Sequence, residues 1–244
     1  AYQRSLIMLL VIAVKEIYGE EADVKVKHTL GSSLYCEFSD SHVPFQKELD
    51  LLYKRMKAIV QEGRDISLMT VTKKRAEDFL IKNRRIKDAE LLSQINTDKI
   101  NVSQCGNYVD YFFGPMLPDM SYAKVFDLKS YAPGFLLQMP PRGSMELQKM
   151  EEAPLFSRVF LETQKWSELI GCNSLIDLNK AIENHTVGNL ILMAEALHEK
   201  KIAELADKIC GQKPEVRLVC IAGPSSSGKT TFMKRLIIHL WVNG

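Results

Sequence analysis

Apolar and polar positions change rhythm along the chain, and the changes predict its elements. After Arg4 come nine apolar residues in a row, Leu6 to Val14. They predict a buried helix capped by Ser5 and ended by Gly19. A bilayer span needs roughly 20 such residues. Lys15-Glu16-Ile17 stand where a signal peptide would want a small-residue cleavage site. From Ala22 to His28, Val24 and Val26 alternate with Lys25 and Lys27, the period of a half-buried strand. Leu34 to Phe38 follows the Gly31-Ser32-Ser33 turn, so a hairpin is expected. Pro44 opens a helix to about Val60, with Leu49, Leu52, Tyr53, Met56 and Ile59 on one face. Further strands are expected at Ile66–Val71, near Ile100, and at Tyr108–Phe113, Lys124–Leu128 and Gly134–Met139. Helices are expected at Thr72–Ile81 and around Ala89, Leu91 and Leu92. This irregular mixture predicts an α+β domain over residues 1–140.

Pro140-Pro-Arg-Gly-Ser144 reads as a linker. Beyond it a connector, residues 145–212, reads as helical almost throughout from Ala153 to Ile209. One apolar face carries Leu155, Phe156, Val159 and Phe160. A second carries Leu190, Met193, Ala194, Leu197, Ile202, Leu205, Ala206 and Ile209, with Gly211 and Pro214 as stops. The third part, 215–244, begins with a β-like run, Val216 to Ala222. A Gly/Ser-rich loop and a helical stretch, Thr230 to Leu240, complete it.

Composition adds limits. The 244 residues are 46% hydrophobic and 25% charged, which excludes a disordered tail, a collagen-like fibre and a disulfide scaffold. Lys+Arg 32 against Asp+Glu 30 leaves a charge of +2, without the basic excess of a dominant nucleic-acid footprint. The five cysteines form no CxxC pair, which suits reduced thiols in the cytoplasm. The five histidines lie far apart, none spaced with another for a metal. Lys73-Lys74-Arg75 and Arg84-Arg85 are flanked by Glu77, Asp78, Asp88 and Glu90, and read as solvated faces.

One motif carries chemistry. Gly223-Pro-Ser-Ser-Ser-Gly228-Lys229-Thr230-Thr231 matches G-x-x-x-x-G-K-[ST] in full. Glycines at 223 and 228 admit backbone angles that turn successive N–H groups, Ser225, Ser226 and Ser227 included, around a phosphate. The helix that follows adds its positive N-terminal end. Lys229 would supply a mobile charge to the β/γ-phosphates, and Thr230 a hydroxyl for Mg²⁺. ATP and Mg²⁺ are the expected cofactors, with Gly223, Ser225–Thr231 as their binding residues.

The wording of this loop after Val219-Cys-Ile-Ala222 resembles P-loop kinases of the uridine kinase and phosphoribulokinase family. The first part resembles a different family. Ser5-Leu-Ile-Met-Leu-Leu10 with Ala13-Val14, Asp110-Tyr-Phe-Phe-Gly114-Pro115-Met-Leu-Pro118, Phe126-Asp-Leu-Lys129 and Ala132-Pro-Gly134 look like the second additional domain of threonyl-tRNA synthetase. That resemblance implies an editing cleft built from His-x-x-x-His and Cys-x-x-x-His. The matching positions here are Arg4, Met8, Phe112 and Met116. Arg is a permanent cation, Met a weak soft ligand and Phe no ligand, so no zinc or hydrolytic site is expected. Met8, Phe112 and Met116 are expected to pack.

A synthetase-like domain, a helical connector and the start of a P-loop domain together resemble a bacterial nucleoside kinase architecture. Gln164-Lys-Trp166 and His198-Glu-Lys-Lys-Ile202 fit it, with His198 itself expected to be solvated. The resemblance implies phosphoryl transfer from ATP to a nucleoside, uridine the nearest guess. The alternatives are a sugar-phosphate kinase, and a tRNA- or RNA-binding module with a regulatory P-loop domain. Phosphoryl transfer also requires a metal-binding carboxylate, and residues 231–244 contain none. The 244 residues alone are therefore expected to be inactive, the chemistry belonging to a longer parent. No membrane partner is expected, and the oligomeric state is open.

Overall fold

A computed structural model describes residues 1–149, 154–212 and 215–244. The chain divides into two compact units, Ala1–Glu162 and Thr163–Gly244.

The first unit is organised around α1 (Tyr2–Tyr18), which is buried from Ser5 to Lys15 save the partly covered Ile7. Nearly all-round apolarity makes a helix that must be enclosed. Its enclosure comes from α2 (Gln46–Glu62) and an antiparallel sheet of β1 (Val24–Leu30), β2 (Ser33–Phe38), β7 (Gly134–Gln138) and β6 (Asp127–Tyr131), in that order. Cys36 stands opposite Phe135 in the β2–β7 register. The chains come so close there that a Cβ on Gly134 would lie 2.1 Å from the Cys36 carbonyl oxygen, which only glycine tolerates. Leu9, Leu10, Leu52, Met56, Phe135 and Leu137 form the centre of the resulting core. The N-terminus of α2 is satisfied by Glu48, whose Oε2 accepts the Phe45 N–H at 2.8 Å.

A second antiparallel sheet, β3 (Ser67–Thr72), β4 (Lys99–Cys105) and β5 (Tyr108–Asp110), is backed by α3 (Lys73–Lys82) and α4 (Ile86–Ser93). Ala76, Leu80, Ala89, Leu92, Ile100 and Val102 fill the space between. Thr72 caps α3, its Oγ1 accepting from Arg75 N at 3.4 Å. A 3-10 turn, Met120–Tyr122, precedes β6, and α5 (Pro154–Leu169) includes the boundary between the two units.

The second unit contains α6 (Leu175–Glu183), α7 (Val187–Gly211) and α8 (Lys229–Val242). α7 and α8 pack through Ile202, Ala206 and Leu236. Beside this apolar row runs a polar one. Glu199 accepts from Arg235 and approaches His239 Nε2 at 2.5 Å, and Asp207 accepts from Asn243 at 2.7 Å. The partners Arg235 and His239 on α8 and Asn243 at its C-cap are four residues apart, on one face.

Several expectations are corrected. Ala1, not Ser5, stands at the N-cap of α1; Ser5 is buried inside the helix because its Oγ accepts the Leu117 N–H at 2.8 Å. The strand expected to reach Phe113 ends at Asp110, whose side chain turns back onto the Tyr111 N–H. The run expected as a strand at Lys124–Leu128 starts at Asp127. The stretch expected to be almost wholly helical is so, among the described residues, as α5, α6 and α7 with breaks around Gly171 and at Asn184–Thr186. Ala153 and Pro214, and the side chains of Leu155 and Phe156, lie outside the described residues. Lys73 and Arg85 are not simply solvated, since Lys73 Nζ donates to the Ile95 carbonyl at 2.8 Å and Arg85 pairs inward with Asp110. Among the described residues Val216–Ala222 forms no strand; it has no neighbouring strand to complete its ladder and is largely exposed. The architecture is a mixed α+β fold with antiparallel sheets, followed by helices. The strand–loop–helix expected at 215–244 has its loop and helix without its strand.

Candidate functional site

The loop 223–228 leads directly into α8. Gly228 takes a left-handed φ of +79° as the N-cap, and Ser226 takes φ 58°. Two left-handed positions within three residues re-aim the backbone sharply before the helix begins. A Cβ on Gly223 would meet Ser227 Oγ at 3.0 Å and Lys229 Cδ at 3.6 Å, so the two ends of the loop lie against each other. The first helical backbone bond after the loop runs from Phe232 N to Gly228 O, 2.9 Å. Among the described residues no hydrogen bond uses the N–H groups of Ser225 to Thr231. These donors are unspent, and the first turn of α8 holds no acidic residue to offset its positive end.

Lys229 folds back over the loop. Its Nζ donates to the Pro224 carbonyl and to Ser227 Oγ at 3.4 Å. The ammonium is thus held against the loop by neutral oxygens that an anion can displace. Thr230 and Thr231 are exposed beside it. Gly223, Ser225, Ser226, Ser227 and Gly228 belong to this one surface loop, and Lys229, Thr230 and Thr231 to the first turn of α8 that it leads into.

The positions matching the editing residues lie in the first unit. Met8 is fully buried in α1, and Phe112 and Met116 pack against the same core. Arg4 Nε donates to the Pro115 carbonyl at 2.9 Å, and its guanidinium lies over Gly114, where a Cβ would come within 3.1 Å. Three of the four are thus packing groups and the fourth fastens the segment 114–115. Phe112 and Met116 also face a cleft of about 420 Å³ with Leu68, Asn101 and Ser103. Among the described residues no group of three His, Cys, Asp or Glu side chains is placed to hold a metal ion.

Sequence reasoning missed the group that shapes this segment. Asp110 is 2% exposed and binds Arg85 Nη1 through both oxygens at 2.5 and 2.6 Å. It also accepts from Tyr108 OH at 2.6 Å and Tyr111 N at 2.7 Å. Burial opposes the Arg85 charge, but the Asp110 and Asp88 carboxylates outweigh it and raise its pKa. Burial, then the Asp110 charge, pushes the Tyr108 hydroxyl well up, so it remains a donor. The flanking charges at 84–90 were the available signal, but their spacing did not show which one turns inward.

No family model matches the chain. It is similar to a threonine–tRNA ligase of Thermotoga petrophila, 28% identical over 161 residues, 65% of this chain and 23% of that protein. The ligase of Paraburkholderia phymatum is 28% identical over 125 residues, 51% of this chain and 20% of that one. That of Azobacteroides pseudotrichonymphae is 35% identical over 88 residues, 35% and 14% respectively. The chain spans less than a quarter of the length of these curated relatives. Together with the mixed, antiparallel α+β fold, they support a threonyl-tRNA synthetase-like domain in this chain.

Proposed function

We propose that the loop 223–231 binds the polyphosphate of ATP with Mg²⁺, and that it serves phosphoryl transfer to a nucleoside, uridine-like, in the protein to which these residues belong. The observation that carries this reading is the row of unspent N–H donors from Ser225 to Thr231 at an unopposed helix N-terminus, with Lys229 folded over it. Backbone donors and a helix end recognise phosphate oxygens without reading a base. Lys229 is the assigned catalytic residue, exchanging the Pro224 carbonyl for the β/γ-phosphates. Thr230 is the assigned metal ligand. The acceptor's identity rests on the resemblance of the loop to uridine kinases; a sugar phosphate is the alternative acceptor.

The test is ATP·Mg²⁺ binding by calorimetry on the whole chain. Lys229→Ala should weaken it at least tenfold, the cost of one charge-assisted contact of roughly 1.5–3 kcal/mol, while far-UV circular dichroism stays unchanged. Unaltered affinity in that variant would remove the loop from the site.

A second reading is favoured by the similarity to threonine–tRNA ligases: the first unit binds tRNA or an RNA end. In this reading the cleft beside Phe112 and Met116 receives the ligand without hydrolysing it. Binding of tRNA that falls steeply with salt supports it; binding absent at low salt removes it.

A further inference from the structure

A sheet ends in edge strands, whose unpaired N–H and C=O groups are a template for another chain. Most edges in the first unit are blunted. β1 carries Lys25 and Lys27 and a register break between Val26 and His28. β6 carries Asp127 and Lys129, and β5 is three residues long. β3 differs from them. Ser67-Leu-Met-Thr-Val-Thr72 has no charge and no proline, and it pairs with β4 residue for residue without a bulge.

The start of its outer edge already takes an antiparallel partner. The Ile66 N–H donates to the Pro118 carbonyl and the Met120 N–H to the Arg64 carbonyl, 2.9 Å each, bridging Asp65 and Asp119. Gln104 of β4 faces Ser67, so Pro118 and Asp119 hold the edge opposite β4. Backbone groups alternate between the two edges of a strand. Those of Leu68 and Thr70 therefore point the same way as those of Arg64 and Ile66. Among the described residues, no hydrogen bond beyond the β3–β4 ladder takes them. Ser67, Leu68, Thr70 and Thr72 are exposed, Leu68 by 66%.

The two ends of this edge differ in charge. Asp65, before the strand, is exposed, and its neighbour Arg64 is already neutralised by Glu16 and Glu62. After the strand, Lys73, Lys74 and Arg75 form the first turn of α3, with no acid in that turn to offset the positive helix end. Lys73 is held by the Ser93 and Ile95 carbonyls, while Lys74 and Arg75 are exposed. Glu77 and Asp78, one turn on, offset part of their charge but not the helix end.

An edge that is acidic at one end and basic at the other is complementary to itself when reversed. We propose that β3 is an interface between two copies of this chain, paired antiparallel about a two-fold axis at Thr70. Thr70 then faces its counterpart, and Leu68 faces the second copy's Thr72, clear of Pro118. Asp65 of each copy lies toward Lys74 and Arg75 of the other, and the two sheets become continuous. A six-residue edge is short beside the roughly 800 Å² per partner of a stable interface, so the dimer is weak and concentration-dependent.

The test is sedimentation of the whole chain at rising concentration, with hydrogen exchange of the Leu68 and Thr70 amides followed in parallel. A monomer–dimer equilibrium is expected, with both amides gaining protection as the dimer forms. Thr70→Pro removes the N–H at the axis and should weaken the dimer about tenfold, since symmetry counts each lost hydrogen bond twice. Leu68→Lys, at an exposed position that leaves the core untouched, sets a cation toward the second copy's Lys73 and Lys74. It should weaken the dimer comparably with far-UV circular dichroism unchanged, and it carries the test if Thr70→Pro fails to fold. A chain that stays monomeric, a dimer that leaves these amides unprotected, or one that Leu68→Lys does not weaken overturns the interface.

Discussion

Asp110 gathers three donors onto one carboxylate and thereby fixes where the chain leaves β5. Its replacement is not symmetrical with that of its partners. Asp110→Ala takes the inner partner from the Arg85 guanidinium and leaves it only Asp88, at 2.6 Å from Nε, and breaking a buried pair from one side costs about 3–5 kcal/mol. Arg85 keeps 31% of its side-chain surface, so the expected loss is roughly 3 kcal/mol, the lower end of that range. Asp110→Asn retains an acceptor and should recover part of it. Urea denaturation of both variants measures the difference; equal losses would mean that the charge is immaterial. This residue also shows what a linear reading can reach. Asp110 was visible as the first letter of a segment resembling the synthetase domain, while its partner Arg85 stood among acids that made it look solvated. Pairing across 25 positions has no local signature. The glycines of the phosphate loop are the opposite case, since their constraint is written in adjacent residues.

Elements with a strong internal period were the most legible. The apolar run from Leu6 to Val14 made a buried helix readable, because only enclosure can satisfy such a surface. Its start was misread, since Ser5 has the chemistry of a cap yet spends its hydroxyl on Leu117. Leu10 is fully buried in that helix. Leu10→Ala should therefore cost about 2–5 kcal/mol, the range for cavity-forming truncations, and denaturation midpoints will measure it. A value under 1 kcal/mol would mean that the enclosure of α1 is loose.

The run Val216–Ala222 failed for the converse reason: β-branched composition supplies a propensity, and a strand also needs a neighbour. At α8 the hold on α7 depends on pH. The His239 contact, and after it Arg235, keep the Glu199 carboxyl below its ordinary range. A depressed carboxylate contributes stability above its unfolded pKa and loses it as pH falls through the folded one. The α7–α8 pair should therefore weaken as pH drops below the ordinary glutamate range, and Glu199→Gln should flatten that dependence. Thermal melts between pH 3 and 7 on both proteins provide the check; identical profiles would exclude Glu199 as the source.

At the scale of the whole molecule, the two units differ in how much core each owns. The first has a large cluster around α1 and a second one between β4 and α3. In the second unit the fully enclosed apolar cluster is Ile202, Ala206 and Leu236, with Ile209, Ile221, Phe232 and Leu240 partly covered. Leu218, Ile238, Trp241 and Val242 remain largely exposed there. Stability follows apolar area removed from water, so the second unit should melt first and calorimetry of the whole chain should show two transitions. The candidate phosphate loop belongs to the weaker unit, which gives a sharp test of its location. A ligand that binds the folded form at a hundredfold excess over its Kd stabilises it by about 2.7 kcal/mol. In a domain of 60–100 residues that moves the midpoint by roughly 10 °C or more. ATP·Mg²⁺ should accordingly raise the lower transition and leave the upper one in place, and Lys229→Ala should abolish the rise. An upward shift of the higher transition instead would put the nucleotide in the first unit, away from the loop whose unspent donors argue for it.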